Sequence, residues 1–170
     1  FLPSGETYER FFYATETTRY WALYAQFDWQ IAPGWDATIG VRHDHYASFG
    51  GVTDPRLALV HRPGPDTTFK LIYGQAFRAP NDYELYYNDG GVSQKASPDL
   101  QPERIRSSEL LAEWRFAPDW RAVGAFYFNR ITDLIATVTD PGDDLLVNVN
   151  SATSIGRGIE GEIEGRTAFG

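Results

Sequence analysis

Six residues between positions 78 and 88 could hold a ligand: Arg78, Asn81, Tyr83, Tyr86, Tyr87 and Asn88. A tyrosine ring offers a flat apolar face for stacking and a hydroxyl for hydrogen bonding, so three of them close together suit a planar or catecholate ligand. Arg78 adds a planar cation that can pair with an anion, and the asparagines add amide donors and acceptors. The bland alternative is that these aromatics pack the loop and the upper edge of a sheet. Phe11, Phe12 and Tyr13 form a second aromatic group open to the same two readings.

Other groups could carry chemistry of a different kind. Glu160, Glu162 and Glu164 recur at every second position, with Arg166 following. On a strand that spacing puts all three on one face. General acid–base catalysis asks for carboxylates in contrasting environments, and three in a row without a pocket signal read instead as a wall facing water. His43 and His45 share a face and could supply two metal ligands, but they continue an apolar row. Asp140, Asp143 and Asp144 surround Pro141-Gly142 and offer the hard oxygens that calcium takes; a solvated turn has the same composition. There is no nucleophile elbow, phosphate loop or zinc spacing. The absence of cysteine excludes a disulfide framework and thiolate sites. The sequence therefore gives no catalytic residue, no metal site and no cofactor.

The elements that must position these residues show a period of two. Trp21, Leu23, Ala25, Phe27, Trp29 and Ile31 alternate with Ala22, Tyr24, Gln26, Asp28 and Gln30. One face is wholly apolar and the other carries amides and a carboxylate. After Ala32-Pro33-Gly34, Trp35, Ala37, Ile39 and Val41 continue the apolar row against Asp36, Thr38, Gly40 and Arg42. Pro followed by Gly suits a type II turn. The design recurs on either side of Ala117-Pro118-Asp119, and the phrases W-Q-I-A-P-G-W and W-R-F-A-P-D-W place four tryptophans beside two turns. Tryptophan favours a membrane interface, with its ring half in hydrocarbon and its N–H among headgroups.

Seven antiparallel strands follow, near 18–31, 35–46, 55–62, 67–78, 104–116, 120–132 and 146–168, the last with a bulge expected near Ser154 to Gly158. Short connections at Pro33-Gly34, Pro63-Gly64-Pro65 and Pro118-Asp119 alternate with long ones at 1–17, 47–54, 79–103 and 133–145. Outer-membrane barrels sort their connections in this way, with short periplasmic turns and long extracellular loops. The fold class is all-β, a partial antiparallel transmembrane β-barrel, because about seven strands would leave open edges in lipid. The formal net charge of −8 speaks against a nucleic-acid partner. No run approaches the ~20 apolar residues of a membrane helix, and a signal peptide is expected to be absent or already removed. The rival readings are a porin, a barrel lipase, which would need a Ser–His pair on one strand face, and a soluble carbohydrate-binding β-sandwich, which would have no aromatic girdle.

Several motifs narrow the choice. They are Y-G-Q-A-F-R-A-P at Tyr73–Pro80, E-L-Y at Glu84–Tyr86, S-P-D-L-Q-P-E at Ser97–Glu103, G-V-R-H-D at Gly40–Asp44, P-R-L-A-L at Pro55–Leu59, and N-V-N followed by G-I-E-G-E between Asn148 and Glu162. In this order and spacing the chain resembles the TonB-dependent receptors of the Gram-negative outer membrane, over roughly residues 21–166. Ser97 stands where that family usually has Asn. The resemblance implies a 22-stranded barrel with a plug in its lumen, of which this chain is one part, without the plug or the terminal strands. It implies capture of a scarce large solute by extracellular loops, an iron–siderophore complex above haem or cobalamin, and import driven by TonB acting on the plug. The expected partners are outer-membrane lipid, that ligand and TonB.

Overall fold

A computed structural model describes residues 17–167. Seven strands make one antiparallel sheet in chain order: β1 (Tyr20–Ala32), β2 (Trp35–Tyr46), β3 (Gly50–Gly64), β4 (Thr67–Arg78), β5 (Glu103–Ala117), β6 (Trp120–Thr139) and β7 (Leu146–Gly165). A five-residue helix, α1 (Asp82–Tyr86), lies between β4 and β5. Phe11, Phe12, Tyr13 and the end of the chain at Phe169-Gly170 lie outside the described residues. The strands have 12 to 20 residues, longer than the ~9–11 that cross a bilayer.

The register carries the alternation across the whole sheet. One row of directly paired residues reads Trp29, Ala37, Leu59, Leu71, Leu110, Phe126, Ile159, apolar on all seven strands. The neighbouring row on the other face reads Gln30, Asp36, Val60, Lys70, Leu111, Ala125, Glu160. The apolar row is not covered. Leu23, Phe27 and Ile159 are 68%, 62% and 83% exposed, and among the described residues only Ala37, Val52, Leu85 and Leu100 are buried hydrophobics. Apolar surface in water costs roughly 25 cal/mol per Å², and soluble proteins rarely expose a contiguous apolar patch beyond a few hundred Å². Hydrocarbon removes that cost. The described residues form a single layer, whereas a sandwich would bury this face under a second sheet.

The connections sort by end more cleanly than by length. At one end, two residues separate β1 from β2, β3 from β4, and β5 from β6. Gly34 has φ +77°, as the expected type II turn requires, and its carbonyl accepts from Arg62 N–H at 2.7 Å. At the other end the connections are 47–49, 79–102 and 140–145. Two of these are shorter than the sequence suggests. β3 begins at Gly50, because its first residues pair with His43 to Tyr46 of β2. β6 runs on to Thr139, paired with β7 as far as Leu146. The irregularity expected near Ser154 to Gly158 starts at the first of these residues and runs the other way along β7: Ile155 to Gly158 pair regularly, and the register slips between Ile131, Leu134 and Ile135, opposite Ser154, Ala152 and Asn150. Asp133 sits there at φ +59°, a conformation that Asp tolerates better than most residues.

Candidate functional site

The 79–102 connection is built from the last residue of β4 outward. The Arg78 guanidinium lies 2.7 Å from both Glu103 oxygens and 3.0 Å from both Glu84 oxygens. Asn81 caps α1: its side chain accepts from Glu84 N–H at 2.9 Å, while the Glu84 carboxylate accepts from Asn81 N–H at 2.8 Å. This reciprocal box satisfies two donors at the start of a helix too short to form alone. Burial opposes ionisation of Glu84, but the hydrogen bonds from Arg78 and from Asn81 N–H outweigh it and hold the carboxyl below its ordinary value. Glu103 also accepts from Ile135 N–H at 2.9 Å, which ties the base of the loop to β6.

Beyond the cap, Tyr83 and Tyr87 stand one helical turn apart with ring centroids 4.5 Å apart and planes at 28°. Tyr83 is 53% exposed. Tyr86 is half-buried and Asn88 exposed, with the Asn88 oxygen accepting from Gly90 N–H. Gly90 and Gly91, both at positive φ, turn the chain. Asp89 closes that turn: its carboxylate accepts from the N–H groups of Val92, Ser93 and Gln94 and from the Ser93 hydroxyl. Those bonds, led by the Ser93 hydroxyl, hold the Asp89 carboxyl well below the usual range.

The return limb is fastened to β7. Asn148 donates from its side chain to Glu84 C=O at 3.0 Å and from its backbone to Ser97 Oγ at 2.9 Å. The Asn150 amide donates to Gln101 C=O at 2.8 Å and to Asp133 C=O at 2.7 Å, and its oxygen accepts from Gln101 N–H. Lys95 reaches the 140–145 connection, with Nζ 2.6 Å from Asp140 and 2.8 Å from Asp143. The hydrogen bond from Lys95 is the main reason both carboxyls lie below their ordinary value.

Of the six residues expected to meet a ligand, Arg78 and Asn81 are engaged in building the loop. Tyr83, with Tyr87 behind it, presents the open aromatic surface, and Tyr86 and Asn88 flank it. Arg78 already faces two carboxylates. Ser97, Asn148 and Asn150 take roles the motifs did not reveal, although N-x-x-E at Asn81–Glu84 is a readable cap signal. Lys95 stands between the carboxylates considered for calcium. His43 bonds Thr53 at 2.8 Å, and both it and His45 pack against Trp21, while His61 stacks on Trp35. On the inward face, Glu164 pairs with Arg121 at 2.7 Å, and Asp44, 1% exposed, pairs with Arg42.

A family described as TonB dependent receptor-like, beta-barrel, matches residues 2–170. The iron-regulated outer membrane virulence protein of Vibrio cholerae is 29% identical over 127 residues, 72% of this chain and 20% of that protein. The vitamin B12 transporter BtuB of Vibrio cholerae is 31% identical over 112 residues, 65% of this chain and 17% of that protein. The crystal structure of the siderophore receptor PirA from Pseudomonas aeruginosa superposes with a TM-score of 0.74 at 26% identity, covering 85% of this chain and 28% of that one. The chain spans about a fifth of the length of the curated relatives it matches.

Proposed function

The chain belongs to the TonB-dependent receptor-like β-barrel family, and we propose that it is a stretch of barrel wall and loop from a Gram-negative outer-membrane receptor that imports an iron–siderophore complex. The observation that carries this reading is a sheet apolar on its outward row across all seven strands, with one long, internally braced loop rising from its wider-connection end. The outward row suits lipid. The opposite row, with Gln26, Asp28, Lys70, Glu109 and Glu160, suits a wet lumen that holds a plug. Parts of the receptor outside these residues would supply that plug and its coupling to TonB, and the whole barrel would have 22 strands.

In this reading the loop captures and the barrel guides. Tyr83 and Tyr87 offer a stacking platform for the aromatic rings of a catecholate siderophore, and their hydroxyls offer hydrogen bonds. Tyr86 and Asn88 extend the contact, while Arg78 and Asn81 hold the platform in place. The residues present support binding and passage, not bond cleavage. A cobalamin is the second reading, because one relative is a vitamin B12 transporter.

The test uses the full-length receptor. Its deletion should abolish growth when a ferric siderophore is the sole iron source, and loss of TonB should do the same. Replacing Tyr83, Tyr86 and Tyr87 together by Ala removes three contacts worth about 0.5–1.5 kcal/mol each beyond area. Affinity should fall about tenfold or more, at about 1.4 kcal/mol per factor of ten, with barrel assembly intact. Unchanged binding and uptake in that triple variant would move the capture site to other loops or to the plug.

A further inference from the structure

The N-V-N motif at Asn148–Asn150 belongs to β7, yet its first asparagine directs its bonds at the long loop. Asn148 is 7% exposed, and three of its polar groups reach three different segments. Its amide nitrogen donates to the Glu84 carbonyl of α1, 64 residues away in the chain, at 3.0 Å. Its backbone N–H donates to Ser97 Oγ on the return limb at 2.9 Å, and its amide oxygen accepts from the Thr137 hydroxyl of β6 at 2.8 Å. A backbone carbonyl can only accept and an amide nitrogen only donate, so the bond to Glu84 fixes which way the Asn148 amide points.

The helix depends on these bonds. An isolated helix shorter than ~12–15 residues is marginal in water, and α1 has five. A helix also leaves its last carbonyls without intrahelical partners. Here those of Glu84 and Leu85 find partners elsewhere: Glu84 C=O accepts from the Asn148 amide, and Leu85 C=O accepts from Ser97 N–H at 2.8 Å. Ser97 is itself set by Asn148, since its hydroxyl oxygen accepts from the Asn148 N–H. Asn148 therefore holds the C-terminal turn of α1 twice, once directly and once through Ser97. Leu85, 6% exposed, anchors the helix. Residues four apart share a helix face, so the hold that fixes α1 also sets Tyr83 and Tyr87 side by side, with ring centroids 4.5 Å apart.

We propose that Asn148, with Ser97 as its intermediary, is a positioning residue for ligand capture: from a strand of the wall, its amide sets the Tyr83–Tyr87 platform in binding geometry before a ligand arrives. The proposal rests on the capture role given above to this loop. A platform formed only part of the time binds with an apparent affinity reduced by the competent fraction. Asn148 thus governs affinity through α1, without contact with the ligand.

The experiment measures uptake of a ferric tris-catecholate chelate by cells carrying the full-length receptor, together with amide hydrogen exchange of the purified, ligand-free receptor. Asn148→Asp keeps the size of the side chain and an oxygen for Thr137, but turns a second oxygen toward the Glu84 carbonyl. It should raise KM about tenfold and leave the maximal rate within about twofold. It should also speed exchange of the Leu85 and Tyr87 amides, which bond within α1 to Asn81 and Tyr83. Ser97→Ala should move KM and exchange in the same direction, and Ser97→Thr, which keeps the hydroxyl, should behave as the unaltered receptor does. Unchanged KM in Asn148→Asp, unchanged exchange at α1, an equal rise of KM in Ser97→Ala and Ser97→Thr, or a lowered maximal rate at unchanged KM would each overturn the positioning role. The triple variant Tyr83→Ala, Tyr86→Ala, Tyr87→Ala separates that failure from failure of the capture reading. If its KM rises while that of Asn148→Asp does not, only the positioning role falls; if neither rises, capture by this loop falls with it.

Discussion

An arginine placed at Ala25 and one placed at Gln26 differ by a single position and should differ greatly in cost. Ala25 pairs with Val41 and lies between Leu23 and Phe27 on the outward row. It is four residues from Trp29, which at ~3.4 Å per residue and a tilt of ~40° sets it ~10 Å above the lower tryptophans, close to the middle of a ~25 Å band. A cation on the lipid face at that depth costs about 2–4 kcal/mol. Gln26 pairs with Gly40 on the inward face, and its amide reaches Asp28 at 3.1 Å. An arginine there meets a carboxylate and water, and its cost should stay below about 1 kcal/mol. The assay is reversible chemical unfolding of the full-length receptor in phospholipid vesicles, comparing Ala25→Arg with Gln26→Arg. A gap of about 2–3 kcal/mol is expected. Equal costs, or a larger cost at Gln26, would refute the assignment of faces, because a slip of one residue exchanges the two sides of every strand.

Three further outcomes follow from the connections. A cysteine at Val92, 77% exposed at the tip of the long loop, should react with an impermeant thiol reagent on intact cells, whereas one at Asp119 in the opposite two-residue turn should react only after the outer membrane is opened. Asp89→Ala should make the loop sensitive to protease, and Asp89→Asn less so, because an amide oxygen still accepts; since the folded carboxyl lies below its ordinary value of 3.8, its contribution is complete above about pH 4 and is lost only as pH falls through the depressed value, so loop protection should be flat from pH 5 to 8. Gly34→Ala should cost about 1–2 kcal/mol, because an L-residue at φ +77° is strained and the added methyl would press on the Arg62 carbonyl oxygen; stability equal to that of the unaltered receptor would mean that the turn relaxes to another type.

Much of the wall was readable in the residues themselves. Period two marked β1 and β2 because the outward residues from Trp21 to Ile31 and from Trp35 to Val41 are apolar and the inward ones mixed, and the Pro33-Gly34 pair named the turn. The reading faltered where local signals pointed away from a strand. Gly50, Gly51 and Asp54 look like a loop, yet they extend β3 through pairing with β2. Pro55 is tolerated because ladder pairing between β3 and β4 stops at Arg56 with Gly74, leaving a position where a missing N–H breaks no bond on that side. The extension of β6 past Asp133 was hidden for a similar reason, since the register slip there erases the alternation. The aromatic cluster at Tyr83–Tyr87 was legible as composition. The fate of Arg78 was not, because its partners Glu84 and Glu103 are brought to it by a helix cap and by a strand pair 25 residues away.

That arrangement decides what the loop can contribute to binding. Arg78 with Glu84 and Glu103, and Lys95 with Asp140 and Asp143, each join one cation to two carboxylates, so both groups carry a net negative charge. Asp89 adds another carboxylate, fully occupied by backbone donors. An anionic chelate therefore finds no surplus positive charge among these groups, and long-range attraction cannot be this loop's part in capture. Instead, each charge is placed where it braces backbone. The double ion pair closes the base of the loop, Asp89 closes the tip, and Lys95 joins the loop to its neighbour. Bracing lowers the ordering cost that a ligand must overcome on arrival, and it does so around a pair of stacked rings, one of them half exposed. The electrostatics of this loop thus serve its shape, and in the proposed function its contribution to affinity would lie in the flat aromatic surface that this shape presents.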